Sequence, residues 1–188
     1  MTNRAESIRV MHPLFQEDQG GSIPTSALQL NFGAIEHHTF KKLNQEWHSR
    51  LPKIGSGYGR AYYGAEFNGV LYAVAMWSNP VARLLPQREW LELRRFAIAP
   101  DSPKNTASRM LGWMVRDIKK RWPEMRRLIS YQDCEIHQGT IYKASGWIRA
   151  ENYISRKRGW EPGNGGGRKR LGRTNQEIAP RMRWEKVL

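Results

Sequence analysis

One stretch of the chain, residues 91–147, constrains the fold more than any other because its hydrophobic period changes several times. The pattern predicts a strand, a loop, a helix, a second strand and a short helix, over residues 91–100, 101–106, 107–122, 128–133 and 139–145. Strands that alternate with helices predict an α/β domain. At 188 residues the chain is long enough for one such domain with a substantial core.

The first strand and the helix of this stretch carry the clearest patterns. Strict alternation places Leu91, Leu93, Arg95, Ala97 and Ala99 on one face of the strand and Glu92, Arg94, Phe96 and Ile98 on the other. Arg95 then lies among apolar neighbours, so we expect its guanidinium to have a partner. The helix has an apolar stripe and ends before Pro123, the stripe being Met110, Leu111, Met114, Val115, Ile118 and Trp122.

The remaining sequence is simpler to divide. Residues 34–50 have helical spacing, and residues 60–67 and 70–77 form β-rich runs joined by Asn68-Gly69, a strong hairpin signal. We expect a flexible lead-in over residues 1–30, a single-domain core over residues 31–154 and a basic, glycine-rich segment over residues 155–188. Residues 182–187 of that segment could add a final strand.

The charge of the chain is strongly positive. It contains 31 lysines and arginines against 17 acidic residues, a formal net charge of +14. Such an excess favours polyanionic partners, and double-stranded DNA is the partner we expect. The candidate nucleic-acid contacts are Arg156, Lys157, Arg158, Arg168, Lys169, Arg170 and Arg173, although a basic run is often only a solvated surface.

Several classes of protein are disfavoured by composition. The single cysteine, Cys134, allows no internal disulfide and no cysteine-rich zinc site. No apolar run is long enough for a transmembrane helix, and the first ten residues do not resemble a signal peptide. Histidine spacing gives no recognised ligand set, so we expect no metal site, although His137 with Asp133 is conceivable.

The loop before the long helix is a candidate phosphate site. A helix N-terminus offers free N–H groups and a partial positive charge, and Lys104 and Arg109 would add charge. The alternative is an ordinary helix start, capped by Asn105 or Thr106 without any ligand. The loop alone favours this alternative.

The second candidate feature is Tyr142-Lys-Ala-Ser-Gly146-Trp147, which follows the second strand. Together with the preceding strand, loop and helix, it resembles the GNAT acyltransferases, although Lys104, Ala107 and Ser108 stand where that superfamily usually has glycines. The resemblance implies a mixed, mostly antiparallel sheet flanked by helices and an acyl-CoA cofactor such as acetyl-CoA. The implied cofactor contacts are Phe96, Ala97, Ile98, Lys104, Asn105, Thr106, Ala107, Ser108 and Arg109.

Further motifs resemble phage Mom-type proteins, which are GNAT-like and modify bases in phage DNA so that restriction sites are hidden. The motifs span residues 46–149 and are His48-Ser-Arg-Leu-Pro52, Leu93-Arg-Arg-Phe-Ala97, Pro103-Lys-Asn-Thr-Ala-Ser108 and Ser130-Tyr-Gln-Asp133 with His137-Gln-Gly-Thr-Ile-Tyr142. The resemblance implies a phage-encoded protein in the host cytoplasm. It also implies catalytic roles for Arg95, Ser108, Asp133 and Tyr142.

Each of these four residues also has an ordinary structural interpretation. Asp133 could be a proton acceptor at a strand end or a turn aspartate, and Tyr142 could be an acid toward the leaving thiolate or a core tyrosine. Arg95 could contact a phosphate, pair with Asp133 or form another ion pair, and Ser108 could contact the pyrophosphate or only begin a helix.

Three functions therefore remain open from the sequence. The first is acyl transfer to an amino group of a DNA base, which protects phage DNA from restriction. The second is an N-acetyltransferase acting on a small molecule or a protein. The third is a degenerate GNAT fold that only binds DNA or counters restriction, which the missing loop glycines favour.

Overall fold

The computed structural model describes residues 23–49, 51–54, 59–151, 153 and 180–188. After a short 3-10 helix, Ala27–Gln29, three α-helices and seven strands follow in these residues. In chain order they are β1 (Asn31–Ala34), α1 (His37–Trp47), β2 (Ala61–Phe67), β3 (Val70–Ser78), β4 (Trp90–Ile98), α2 (Thr106–Arg121), β5 (Arg127–Asp133), α3 (Thr140–Ala144), β6 (Ile148–Arg149) and β7 (Arg181–Val187).

All seven strands form one sheet in the order β1-β2-β3-β4-β5-β7-β6. Only β4 and β5 pair in parallel, and every other neighbouring pair is antiparallel. The predicted α/β fold with a mixed, mostly antiparallel sheet is confirmed. Among the described residues, no helix is both long and apolar enough to cross a lipid bilayer.

The predicted hairpin is present between β2 and β3. Asn68 and Gly69 both have positive φ, at 48° and 77°, which matches the type I′ turn that an Asn-Gly pair favours. Phe67 and Val70 pair directly on either side of the turn. This turn fixes the register of β3, the central strand of the β2-β3-β4 half of the sheet.

The helices divide between the two faces of the sheet. The stripe predicted for α2 is confirmed, since Met110, Leu111, Met114 and Ile118 are buried against the sheet together with Tyr142 of α3. On the other face, Phe40 and Leu43 of α1 pack on a smaller cluster that includes Leu71, Val74, Met76 and Ala97. The two faces are called the α2 face and the α1 face below.

The predicted alternation along β4 is wrong because the strand contains a β-bulge. Met76 pairs with Arg95 but the next residue, Trp77, pairs with Leu93, so Arg94 has no partner on β3. Because one extra residue is inserted, every later side chain of the strand lies on the face opposite to the one that simple alternation predicts. Leu91 and Leu93 therefore share the α2 face with Phe96 and Ile98, whereas Ala97 belongs to the α1 face, and Arg95, two residues earlier, faces the same way.

Both ends of the described chain contribute to the core. Ala27 and Leu30 are buried ahead of β1. Strand β7 lies between β5 and β6, and its Trp184 is only 2% exposed. The strand predicted over residues 182–187 is therefore present and is an internal member of the sheet rather than an appendage.

Candidate active site

Strands β4 and β5 separate and leave a slot in the middle of the sheet. They pair from Trp90 with Arg127 to Leu93 with Ser130, and then β4 continues to Ile98 and β5 to Asp133 without pairing to each other. Backbone polar groups of a strand point alternately to its two sides. About half of those on residues 94–98 therefore face the slot, where an extended polar ligand can bind them.

The loop after β4 leads directly to the N-terminus of α2. Asn105 precedes the helix with φ of 69°, in the left-handed region, and its side chain makes no capping hydrogen bond. Thr106 does not cap the helix either, since its hydroxyl donates to the Pro103 carbonyl at 2.7 Å. The backbone N–H groups of Ala107 and Ser108 have no acceptor among the described residues. This helix start is thus unsatisfied in the way that suits an anion.

Asn105 adopts the left-handed conformation although the loop lacks the glycines that are usual in the GNAT superfamily. Asparagine is among the few non-glycine residues that adopt this conformation readily. It lets the chain turn into α2 without glycine, and both Lys104 and Asn105 are exposed beside the turn. The Ser108 hydroxyl donates to the Asn105 carbonyl at 3.1 Å, so it is the backbone N–H of Ser108, not the hydroxyl, that is open to a ligand.

Tyr142 is buried at the closed end of the slot, with 7% of its surface exposed. Its ring stacks on Trp184 with centroids 5.3 Å apart and an interplanar angle of 14°. Its hydroxyl lies 2.8 Å from the Ser130 hydroxyl, which in turn donates to the Leu93 carbonyl at 3.4 Å. Because that carbonyl only accepts, Tyr142 donates to Ser130. Burial raises the pKa of Tyr142 and outweighs the opposing hydrogen bond, so the phenol keeps its proton.

Asp133 ends β5 on the opposite face of the sheet from Ser130. Alternation along β5 places Ser130 toward Tyr142 and Asp133, three residues on, toward the α1 face. The Oδ1 atom of Asp133 accepts the Glu135 N–H at 3.0 Å, so this residue does shape the turn that follows. Asp133 also pairs in register with Arg181 of β7.

Arg95 and His48 lie close together on the α1 face. One Nη atom of Arg95 donates to the Arg94 carbonyl at 2.7 Å, and its buried Nε atom has no hydrogen-bond partner among the described residues. Burial, followed by the charge of Arg94, lowers the pKa of Arg95. A buried N–H donor without an acceptor is costly, and a ligand oxygen would satisfy it.

His48 is a site residue whose environment the sequence does not reveal. Its Nδ1 atom accepts the Leu51 N–H at 3.3 Å. Burial, then Arg95 and His137, lowers the pKa of His48 to about 4. The ring is therefore neutral at physiological pH with its proton on Nε2, so that Nε2 is a hydrogen-bond donor.

The neutral state of His48 predicts a pH dependence of stability. Its pKa is near 6.5 when unfolded and about 4 when folded, so between these values the unfolded chain binds more protons. The free energy of unfolding should fall as pH drops from 7 to 4.5, with His48 contributing on the order of 2 kcal/mol. Urea titrations should show a shallower pH slope for His48→Gln than for the wild type.

An open cavity of about 550 Å³ lies where β3 ends beside the first half of β4, next to the bulge. It is lined by Gly59, Arg60, Ser78, Asn79, Pro80, Val81 and Arg94. Arg60 pairs with Glu124 at 3.0 Å and Arg94 with Glu92 at 3.3 Å. The sequence did not indicate this cavity, because it brings together distant segments and an arginine displaced by the bulge.

One set of predicted residues cannot be placed in this geometry. The candidate nucleic-acid contacts Arg156, Lys157, Arg158, Arg168, Lys169, Arg170 and Arg173 lie outside the described residues. Within the described ranges, no three histidine, cysteine or acidic side chains form a group that could hold a metal ion.

Residues 30–164 match the model of the Mom protein family. The chain belongs to the Mom family. The match covers β1 to β6 and therefore both sides of the slot, together with Arg95, Ser108, Asp133 and Tyr142. No curated protein sequence matches this Mom-family chain.

Solved structures show which fold this Mom-family protein has. A GNAT family acetyltransferase from Elizabethkingia anophelis with acetyl-CoA bound superposes with a TM-score of 0.59 at 13% identity, over 85% of this chain and 99% of that one. The ribosomal-protein-S18-alanine N-acetyltransferase from Escherichia coli gives 0.56 at 15% identity, over 84% and 93%. Spermidine N-acetyltransferase from Vibrio cholerae, in complex with CoA and spermine, gives 0.56 at 11% identity, over 85% and 96%. The Mom-family chain thus has the GNAT acetyltransferase fold.

Proposed function

We propose that this protein transfers an acyl group from acyl-CoA, with acetyl-CoA as the expected donor, to an amino group of a base in double-stranded DNA. The observation that carries the proposal is the β4–β5 slot that leads directly to an unsatisfied helix N-terminus. Membership of the Mom family supports the DNA base as the acceptor. The formal net charge of +14 is consistent with a nucleic-acid partner.

The donor would lie along the slot. The backbone of Phe96, Ala97 and Ile98 would bind the extended arm of the cofactor, since β4 has no partner strand on its β5 side there. At α2, the free N–H groups of Ala107 and Ser108 would hold the pyrophosphate. Lys104 and Arg109, both exposed at this helix start, would add positive charge, and Asn105 and Thr106 form the turn itself.

The reacting groups would approach the slot from its two faces. Asp133, Arg95 and His48 belong to the α1 face, whereas the Tyr142 and Ser130 hydroxyls belong to the α2 face. The acceptor amine would therefore enter from the α1 face and the CoA sulfur would leave toward the Tyr142 side. This separation keeps the proton acceptor and the proton donor apart.

The transfer then balances in two steps. The amine nitrogen attacks the thioester carbonyl and loses a proton to Asp133, and the unpaired Nε–H of Arg95 stabilises the negative charge that develops on the carbonyl oxygen. The carbon–sulfur bond then breaks, and the thiolate takes a proton supplied by Tyr142 through the Ser130 hydroxyl. Burial keeps this proton on Tyr142 until the stronger base, the thiolate, forms. The phenolate then takes a proton from solvent and Asp133 releases its proton to solvent, which restores both residues.

Nucleoside mass spectrometry on DNA from cells that express the protein tests the proposal. We expect a new nucleoside whose mass exceeds that of its parent base by the transferred group, and we expect the DNA to resist restriction at sites that contain this base. Purified protein with labelled acetyl-CoA should label duplex DNA in a reaction that weakens steeply with salt. Labelling of a small amine or a protein, insensitive to salt and without any labelled DNA, would overturn the DNA assignment.

A further inference from the structure

The connection between β3 and β4 presents a leucine entirely to solvent. Leu84 is 100% exposed, in a segment of residues 79–89 that also exposes Val81, Arg83 and Arg88. Leu28, the next most exposed leucine among the described residues, is 72% exposed. A fully hydrated leucine gains nothing for folding, and burying it against a partner would contribute about 1.5–3 kcal/mol.

The turn that carries Leu84 is held by its own hydrogen bonds. The Leu85 N–H donates to the Ala82 carbonyl at 3.0 Å. The Gln87 amide donates to the carbonyls of Ala82 and Leu85, at 3.0 and 3.1 Å. At the start of the segment, the Val81 N–H donates to Oε2 of Glu92 at 2.9 Å. Leu84 is therefore held at the tip of a defined turn, and little conformational entropy remains to be lost when a partner covers it.

The surroundings of Leu84 favour a polyanion over an apolar partner. Arg83 and Arg88 are exposed on the same segment against one exposed carboxylate, Glu89, and the open cavity with Arg60 and Arg94 begins at Val81. Val81 precedes Leu84 by three residues, so their Cα atoms are at most about 11 Å apart. An apolar tip flanked by arginines, beside a cavity lined by guanidinium groups, fits duplex DNA with one base displaced.

We propose that Leu84 is a wedge that inserts into the base stack of duplex DNA, and that the neighbouring cavity receives the displaced base. This inference rests on the proposed function, since an enzyme that modifies a base in a duplex must take that base out of the stack. Proteins that kink or open DNA insert leucine and similar residues between base steps. The open cavity of about 550 Å³ has room for a base, and its arginines are held in place, Arg60 by Glu124 and the Trp122 ring and Arg94 by Glu92.

The geometry also connects the cavity with the slot. Arg94 lines the cavity, and its neighbours Leu93 and Arg95 lie at the closed end of the slot and on its α1 face, respectively. The cavity thus adjoins the closed end of the slot through β4. The wedge, the cavity and the slot then form one path along the bulge of β4.

Base opening can be measured separately from acyl transfer. A set of duplexes in which 2-aminopurine replaces adenine at each position in turn is titrated with the full chain, its Leu84→Ala variant and Leu28→Ala, which removes an exposed leucine elsewhere. We expect fluorescence to rise at one or more positions with the wild-type protein and with Leu28→Ala, because 2-aminopurine brightens when it leaves the stack. Leu84→Ala should lose most of this rise.

A second pair of substrates identifies the cause. In one duplex the target base has its normal partner, and in the other it lies opposite an abasic site, where opening is already inexpensive. Acyl transfer by Leu84→Ala should fall about tenfold or more on the paired duplex and less than about threefold on the abasic one. Equal losses on both duplexes, or wild-type opening by Leu84→Ala, would overturn the wedge. If the wild-type protein opened the duplex but transferred no acyl group to either substrate, the proposed function would be overturned and the wedge would stand.

Discussion

Replacing Asp133 by asparagine should reduce acyl transfer at least about 100-fold, the scale expected when a proton acceptor is lost. The substitution keeps an oxygen in the position where Oδ1 accepts the Glu135 N–H at 3.0 Å, so the turn after β5 should survive. It removes the charge and with it the capacity to take a proton from the acceptor amine. Steady-state transfer of labelled acetyl groups to DNA measures the effect.

The structure makes asparagine a better test than alanine. Asp133→Ala removes the turn acceptor together with the charge, so a loss of activity would have two explanations. Thermal unfolding should show Asp133→Asn within about 1 kcal/mol of the wild type, because the Glu135 N–H keeps an oxygen acceptor. Glu36→Gln, which neutralises an exposed carboxylate at the start of α1, serves as the matched control and should remain fully active. Wild-type transfer by Asp133→Asn would show that this residue only shapes the turn.

Local patterns in the sequence predicted the parts of the fold that depend on neighbouring residues. The turn at Asn68-Gly69 and the buried stripe of α2 follow from backbone preference and from the 3.6-residue period, and both are present. The short helix carrying Tyr142 follows the same logic, with Gly146 in a left-handed conformation after it.

The bulge in β4 could not be predicted in this way. A single unpaired residue, Arg94, leaves no trace in composition, yet it moves Arg95 to the face opposite Leu93. The sequence pattern therefore placed Arg95 on the wrong face, with Leu91 and Leu93. A bulge exists only in the register between two paired strands, and the sequence of one strand alone does not determine that register.

The hydrogen-bond partners of the candidate site residues were equally hidden. Ser130 and Tyr142 are twelve residues apart in the sequence, yet their hydroxyls are hydrogen-bonded. His48, at the end of α1, lies near Arg95 only because α1 packs against β4. Asn105 illustrates the local limit, since its left-handed conformation is permitted by the residue type but is not required by it. Candidate residues could thus be named from the sequence, whereas their proton states and neighbours depend on the tertiary structure.

Replacing Ser108 by aspartate should weaken CoA binding by about 10- to 100-fold while making the free protein slightly more stable. A carboxylate in the first turn of α2 interacts favourably with the helix dipole, by about 0.3–1 kcal/mol. The same carboxylate would stand where the free N–H groups of Ala107 and Ser108 are proposed to hold a pyrophosphate, and like charges at that distance repel by several kcal/mol before screening. Calorimetric titration with CoA and thermal unfolding of the free protein measure the two effects.

Opposite signs in these two measurements separate an anion site from a purely structural helix start. Ser108→Ala is the matched control, because the hydroxyl donates to the Asn105 carbonyl and its loss should change CoA affinity less than about threefold. Pantetheine, which lacks phosphate, should bind Ser108→Asp and the wild type alike. If CoA bound Ser108→Asp as tightly as the wild type, the pyrophosphate would not lie at α2, and the unsatisfied N–H groups would need another acceptor. A weakened CoA affinity with unchanged pantetheine affinity would instead assign the unsatisfied helix start to the cofactor phosphates, and so join the slot and the loop into one donor site.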